Sequence, residues 1–381
     1  MSDSGEREAG TTAQTAPTPE VRPEPAEPTP TPQPPVRGLS RRTWTLVFSS
    51  VVAITLVLVG AFVPVPYVAL GPGPTFDTLS SVDGTPVVAV AGTRTYPTDG
   101  QLRMVTVSLS NQPVTLFSGL AMWITGRYAL APKDDYFPPG ESGQQVEQEN
   151  VQEFKDSQSD AEVSALRYLH YPISAVAQQV VPNTPADGRI HAGDKLVRVN
   201  GQTPNSAEGV QDALAGTTAG QTVDVVVQTG NQAPRDLKIK LGANPDQNRK
   251  QGFLGITPAS HANVPFKITI SLSDIGGPSA GLMFALAVVD KLTPGNLNGG
   301  MKVAGTGEID DLGNVSPIGG IPFKLVAARN AGATVFLTPA DNCSEAETHV
   351  PAGLKLVKVT SLNSAIRELA DLKAGRPVPG C

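Results

Sequence analysis

The sequence predicts an α+β chain of several domains behind one apolar N-terminal helix, and three observations carry that expectation. A proline-rich leader poor in apolar residues is followed by an uncharged run from Trp44 to Val63. The segment from about Ile173 to Gly242 alternates apolar and polar residues between turn-rich stretches, the pattern of a small β-rich unit. The segment from about Gly252 to Leu372 interleaves strand-like and helix-like runs, the pattern of an α/β unit.

The chain has 381 residues, 40% hydrophobic, with a formal net charge of −6. That is room for two modest domains plus extensions, at about 100–200 residues per domain. With no basic block beyond Arg41-Arg42, the charge argues against a nucleic-acid partner. Residues 1–40 contain APTPEVRPEPAEPTPTPQPPV and are expected to be disordered, because so few apolar side chains cannot offset the entropy of ordering.

Residues 41–64 read as a transmembrane signal anchor, long enough for one helical crossing of a hydrocarbon layer about 30 Å thick. Arg37, Arg41 and Arg42 precede the run and the next basic residue is Arg94, which places the N-terminus in the cytoplasm and the body outside. Ser40-Arg41-Arg42 also has the look of a twin-arginine signal. Against cleavage, the apolar run exceeds the 7–15 residues usual for a signal core and no A-x-A site follows it. The two cysteines, Cys343 and Cys381, suit an exported body, where they would either pair and tie back the tail (residues 373–381) or stay free.

Residues 65–163 read as an extracytoplasmic connecting region. VVAVAG and LRMVTVSLS suggest strands, while PVTLFSGLAMWITG and EQENVQEFKDSQSDAEVSALRYL suggest helices. Asp134-Asp135 has no further carboxylate or His cluster beside it, so a turn is expected there and not a metal site. No cofactor or metal is expected anywhere in the chain.

Between residues 164 and 243 the strands AVAQQVV and KLVRVNG flank the turn-rich PNTPADGRIHAGD; the helix SAEGVQDALAG and the strands TVDVVVQT and DLKIKLG follow. Thr184-Pro185-Ala186, Ile190, Ala192-Gly193-Asp194, Leu196 and Val199-Asn200-Gly201 resemble a PDZ domain of the kind attached to bacterial exported proteases. The resemblance implies capture of an extended peptide as an added strand, in a groove near Tyr171–Ala175. The alternative is a PDZ fold used only as a spacer or dimer contact.

In DIGGPSAGLMFALAVVDKL two glycines and a proline deliver Ser279 to the start of an apolar helix. Pro278 suits a first helical turn, where its missing N–H costs nothing. Ser279 there is either a helix cap or a nucleophile beside backbone N–H groups able to hold an oxyanion. Further on, MKVAGTGEIDDLGNVSPIGGIPFKLVAARNAGATVFLTP reads as strand, turn, strand, Gly-rich helix entry, helix and strand. Lys324, one turn into that helix, is placed to lose solvent, which lowers an ammonium pKa and fits it to act as a general base.

Gly277-Pro278-Ser279-Ala280-Gly281, Thr306-Gly307-Glu308-Ile309 and Pro317-Ile318-Gly319-Gly320, followed by Lys324, resemble the proteolytic domain of Lon proteases in identity, order and spacing. The resemblance covers residues 252–372. It implies a Ser279–Lys324 dyad with Thr306, Gly277 and Pro278 in support, a Lon-type α/β fold, and a homo-oligomeric ring. Where many Lon proteases carry an acidic residue three positions before the serine, this chain has Gly276, with Asp274 two residues further back. No G-x-x-x-x-G-K-[ST] loop is present, so cleavage is expected to need no ATP.

His170, His191, His261 and His349 lie in four separate regions with no Ser-His or zinc pattern. Lys291 ends the serine's own helix, about three turns from Ser279. Glu308 and Asp310-Asp311 read as turn residues. The expected whole is a membrane-anchored, PDZ-containing Lon-like serine endopeptidase acting on unfolded or membrane-proximal polypeptides. Its rival is a catalytically silent, membrane-tethered PDZ scaffold, and a self-processing factor would differ from the protease only in breadth.

Overall fold

The computed structural model describes residues 40–110, 112–125, 128–246, 248–272 and 275–381. The proline-rich tail expected to be disordered, and Asp274, lie outside the described residues. In chain order the principal elements are α1 (Arg41–Phe62), β1 (Tyr67–Asp77), β2 (Val88–Ala91), β3 (Gln101–Leu109), α2 (Leu116–Thr125), β4 (Ala129–Pro132) and α3 (Gly143–Tyr168). Next come β5 (Ile173–Val180), β6 (Lys195–Val199), α4 (Ala207–Leu214), β7 (Thr222–Gln228), β8 (Arg235–Lys240), β9 (Ile256–Ala262) and β10 (Lys267–Ile270). The last are α5 (Gly281–Leu292), β11 (Lys302–Gly305), β12 (Glu308–Ile309), β13 (Val315–Ser316), α6 (Ile321–Asn330), β14 (Val335–Pro339), α7 (Cys343–Glu347), β15 (Lys355–Val359) and α8 (Leu362–Lys373).

Helix α1 has 22 residues and an apolar window of mean hydropathy 2.4, long and apolar enough to cross a membrane.

A six-stranded sheet runs β15-β14-β11-β3-β1-β4. The first four strands are parallel to their neighbours, whereas β1 pairs antiparallel with both β3 and β4. Side-chain alternation along β14 sorts the core into two layers. Val335 and Leu337 join the cluster built on α3, α5 and α8, and Phe336 joins the one built on α6. Helix α5 is buried from Gly281 to Asp290, which accounts for its unbroken apolar sequence.

Residues 65–163, read from the sequence as a connecting region, are not a separate spacer. They supply β1, β3 and β4, half of the six-stranded sheet, and α3 packs on α5, with the Phe154 and Phe284 rings edge to face at 5.8 Å. The pairing was invisible locally because β3 finds its parallel partner β11 about 200 residues downstream, and β1 (YVALGPGPTFD) carries glycines and prolines that mask its strand character.

The five-stranded sheet runs β8-β7-β6-β5-β9 around a closed core including Ile190, Leu196, Val225 and Ile239. Its fifth strand, β9, comes from Ile256–Ala262, beyond the 164–243 boundary read from the sequence, and pairs with the whole of β5. The edge near Tyr171–Ala175 is thereby occupied from Ile173 onward, and the terminal strands of this sheet are β8 and β9. Pro258 is tolerated there because an edge strand can lack one donor. The hydroxyl of Ser260 on β9 meets the Asp311 carboxylate, while Arg167 of α3 donates to the carbonyls of Asp311 and Asn205, both at 2.9 Å. The five-stranded sheet is thus tied to α3 and to the β12–β13 turn at one polar node.

Cys343 and Cys381 are disulfide-bonded, with Cα atoms 5.0 Å apart. The tail also lies along β15, where Lys358 N–H donates to the Pro379 carbonyl at 3.0 Å.

Candidate active site

Ser279 sits in the short turn that leads into α5, and its backbone is held residue by residue. Gly277 N–H donates to the Asn150 carbonyl at 2.9 Å. The Pro278 carbonyl accepts from the Ser157 hydroxyl at 2.9 Å. The Ser279 carbonyl accepts from the Thr306 hydroxyl and from Gly307 N–H, each at 2.9 Å. Gly281 lets the helix approach this closely, since a Cβ there would stand 2.8 Å from both Ile309 Cγ2 and Ser157 Oγ.

Two details differ from the sequence reading. The helix begins at Gly281 with Ala280 as its cap residue and no side-chain cap, so Pro278 lies before the first turn and the Ser279 hydroxyl caps nothing. Of the amides from Gly277 to Ser279, that of Gly277 is spent on Asn150 and Pro278 has none, which leaves the Ser279 N–H as the remaining donor. Gly277 and Pro278 therefore act through backbone shape and the contacts of their neighbours.

Lys324 arrives from the opposite face of the six-stranded sheet. Gly320 starts its helix in the left-handed region, φ 71°, and a Cβ there would stand 2.8 Å from Val107 Cγ2, so glycine allows α6 to seat against β3. The lysine side chain is 3% exposed. Its Nζ lies 2.7 Å from Ser279 Oγ and 3.0 Å from Thr306 Oγ1. Thr306 is fully buried just past the C-terminal end of β11, where open α/β sheets collect their functional groups from both faces. Because the Thr306 hydroxyl donates to the Ser279 carbonyl, it accepts from Lys324 and ties the two segments of the site together.

Burial pushes the Lys324 ammonium down from 10.5 to about 7, because a charge held away from water costs free energy that the neutral amine avoids. On α3, Asp160 is raised to about 7, first by burial and then by the neighbouring carboxylates of Asp311, Asp156, Asp310 and Glu308. An amine and a hydroxyl in this arrangement can exchange one proton near neutral pH.

The remaining candidates stay apart from this group. All four histidines are exposed. Lys291 Nζ donates to the Leu79 carbonyl at 3.3 Å, and Asp310 accepts from the amides of Leu312 and Asn314 as a turn residue does. Among the described residues no group of three or more His, Cys, Asp or Glu is placed to hold a metal. Asn150 and Ser157 escaped the sequence reading, since each looks like an ordinary polar residue on a long helix.

Residues 254–371 match the family of Lon protease (S16) C-terminal proteolytic domains, and residues 143–241 match the PDZ domain family. The chain carries a Lon proteolytic domain and a PDZ domain. The Lon match begins just before β9, which by hydrogen bonding belongs with the PDZ sheet. Among curated relatives, a Lon protease of Heliobacterium modesticaldum is 38% identical over 43% of this chain and 22% of its own length. Lon protease 1 of Bacillus subtilis is 29% identical over 46% of this chain and 24% of its own length. The chain thus spans about a quarter or less of these Lon proteases. A solved PDZ domain from Listeria monocytogenes is 26% identical, with the match covering 22% of this chain and 86% of that one, at a TM-score of 0.20.

Proposed function

We propose that this chain is a membrane-anchored serine endopeptidase that cleaves unfolded or membrane-proximal polypeptides outside the cytoplasm without ATP. The observation that carries the reading is the buried Lys324 Nζ at 2.7 Å from Ser279 Oγ. A lysine brought to about 7 is about half neutral at neutral pH, so it can accept the serine proton without a histidine.

In this mechanism the Lys324 amine takes the Ser279 hydroxyl proton as Oγ attacks the scissile carbonyl carbon. The C–O bond forms and the carbonyl π pair moves onto oxygen, where the Ser279 N–H faces the new charge. Collapse of that intermediate breaks the C–N bond, and the Lys324 ammonium returns its proton to the leaving amine. Water then attacks the acyl-enzyme with Lys324 again as base, and Ser279 is regenerated. Thr306 holds the amine on line with the hydroxyl.

Anchoring is supported by the 22-residue apolar α1 and by the Arg37, Arg41 and Arg42 cluster before it. An oxidising location for the body is supported by the Cys343–Cys381 bond. Of the two terminal strands of the PDZ sheet, β9 is the one that leads through β10 toward Ser279, so a peptide added to its edge would lie on the path to the serine. Substrate recruitment or gating by that sheet, and assembly of the proteolytic domains into a homo-oligomeric ring, belong to the same proposal.

The test is cleavage of an unfolded reporter by the full chain in detergent or nanodiscs, without nucleotide. Ser279→Ala and Lys324→Ala are each expected to lose at least about 1,000-fold of the rate. Equal rates in parent and variants, or no cleavage by any form, would replace the protease reading with that of a tethered PDZ scaffold.

A further inference from the structure

We infer that helix α2 is a second membrane contact, lying in the bilayer interface beside the exit of α1; the inference rests on the membrane-anchored reading above. From Met104 to Gly126 the sequence holds no charged residue. Within that run α2 exposes Leu116, Phe117, Leu120, Trp123 and Ile124, at 45–71% of their surfaces. At 100° per residue these five fall within an arc of about 120°, a single apolar face. Beside that face Gly119 is buried and Ser118 and Met122 are half-buried, with Gly119 so close to the body that a Cβ would stand 3.1 Å from Val114 Cγ1 and 3.3 Å from Leu130 Cδ1.

A soluble surface rarely leaves such a patch open, and here its position names the occupant. The Phe117 ring covers Gly60 in the last turn of α1, where a Cβ would stand 2.9 Å from it. Val65 N–H donates to the Val114 carbonyl at 2.8 Å, and Pro64 bridges to Thr115, so the chain leaving α1 is fastened directly to the start of α2. The apolar face of α2 is therefore continuous with exposed Phe62 and Val63 at the end of the anchor. A crossing helix ends at the headgroup level, so a helix fixed to its last turn meets the acyl boundary there. Trp123 and the half-exposed Tyr67 are the side chains that favour that level, with an apolar body and a polar tip. Arg127 and Lys133 follow the run in sequence, basic residues of the kind that anionic headgroups attract.

The chain has two tryptophans, Trp44 in α1 and Trp123 in α2, so each helix has its own reporter. The full chain is reconstituted in phosphatidylcholine–phosphatidylglycerol nanodiscs whose acyl chains are brominated either near the headgroup or near the bilayer centre. Trp44→Phe isolates Trp123, and Trp123→Phe isolates Trp44. The expected result is that Trp123 loses about half its emission to shallow bromines and less to deep ones, while Trp44 is also quenched by lipid. If Trp44 is quenched but Trp123 stays bright and open to aqueous acrylamide, the anchor stands and the α2 contact is overturned. If Trp123 is shielded from both acrylamide and bromine, a protein surface covers α2 and the inference is equally overturned. Absence of lipid quenching at both tryptophans removes the anchored reading and this inference with it.

Discussion

The hydroxyl of Ser157 donates to the carbonyl of Pro278 at 2.9 Å, joining positions 121 residues apart. One residue before Ser279, the backbone is therefore set by a helix from the other side of the PDZ insertion. Ser157→Ala removes that donor and leaves a carbonyl short of a partner, costing about 1 kcal/mol of stability. In the proposed mechanism it also frees the turn that aims the Ser279 amide and hydroxyl. The expected outcome is a kcat lowered about tenfold with KM nearly unchanged, since substrate contacts are untouched. Steady-state kinetics checks it, and a change confined to KM would disprove the positioning role.

The pH dependence of cleavage follows from Lys324. Only the neutral amine accepts the serine proton, so kcat/KM is expected to rise with pH through an apparent pKa of about 7 and then level off. Asp160 titrates in the same range, raised by burial and its acidic neighbours. Asp160→Asn separates the two: a pH–rate profile that keeps its midpoint assigns the titration to Lys324, whereas one that loses it assigns the step to Asp160.

Burying Lys324 also costs stability, with a definite sign. Its folded pKa of about 7 lies below the unfolded value of 10.5, so between those limits the unfolded chain binds more protons. Stability is therefore expected to rise as pH climbs from about 7 toward 10, and the penalty is fully present below about 7. Lys324→Met removes the buried charge. It should raise the Tm relative to the parent at pH 7 and lose that advantage by pH 10, as differential scanning calorimetry can follow.

The Cys343–Cys381 bond closes a sequence separation of 38. Chain-entropy arguments give such a loop a stabilisation of up to about 4 kcal/mol. Cys381→Ser, or reduction of the parent, is expected to lower the Tm by several degrees, while the Ser279–Lys324 pair, on other elements, keeps its spacing. Retained cleavage below the new Tm, measured with the unfolded reporter, checks both halves.

Much of this chain was legible locally. The uncharged run from Trp44 to Val63 fixed the place of α1, because a helix without a polar face declares itself by composition. The alternation in TVDVVVQT and DLKIKLG marked β7 and β8, since one buried face imposes period two on a strand. Ser279 stood out because glycine and proline punctuate the backbone around it, and Lys324 because it lies one turn into an apolar helix, whereas Thr306 entered only through the resemblance to Lon proteolytic domains. Other features are written in no local stretch. Strands β1, β3 and β4 join a sheet whose remaining strands lie beyond residue 300, and β9 leaves the C-terminal segment to complete the PDZ sheet. Whether Ser279 caps a helix or faces an amine was decided by packing alone: α5 and α6 cover opposite faces of one sheet, and their ends meet past β11. Burial then set the proton affinity of Lys324. A sequence states which side chains are available, but the loss of water that brings an amine to about 7 belongs to the folded neighbourhood.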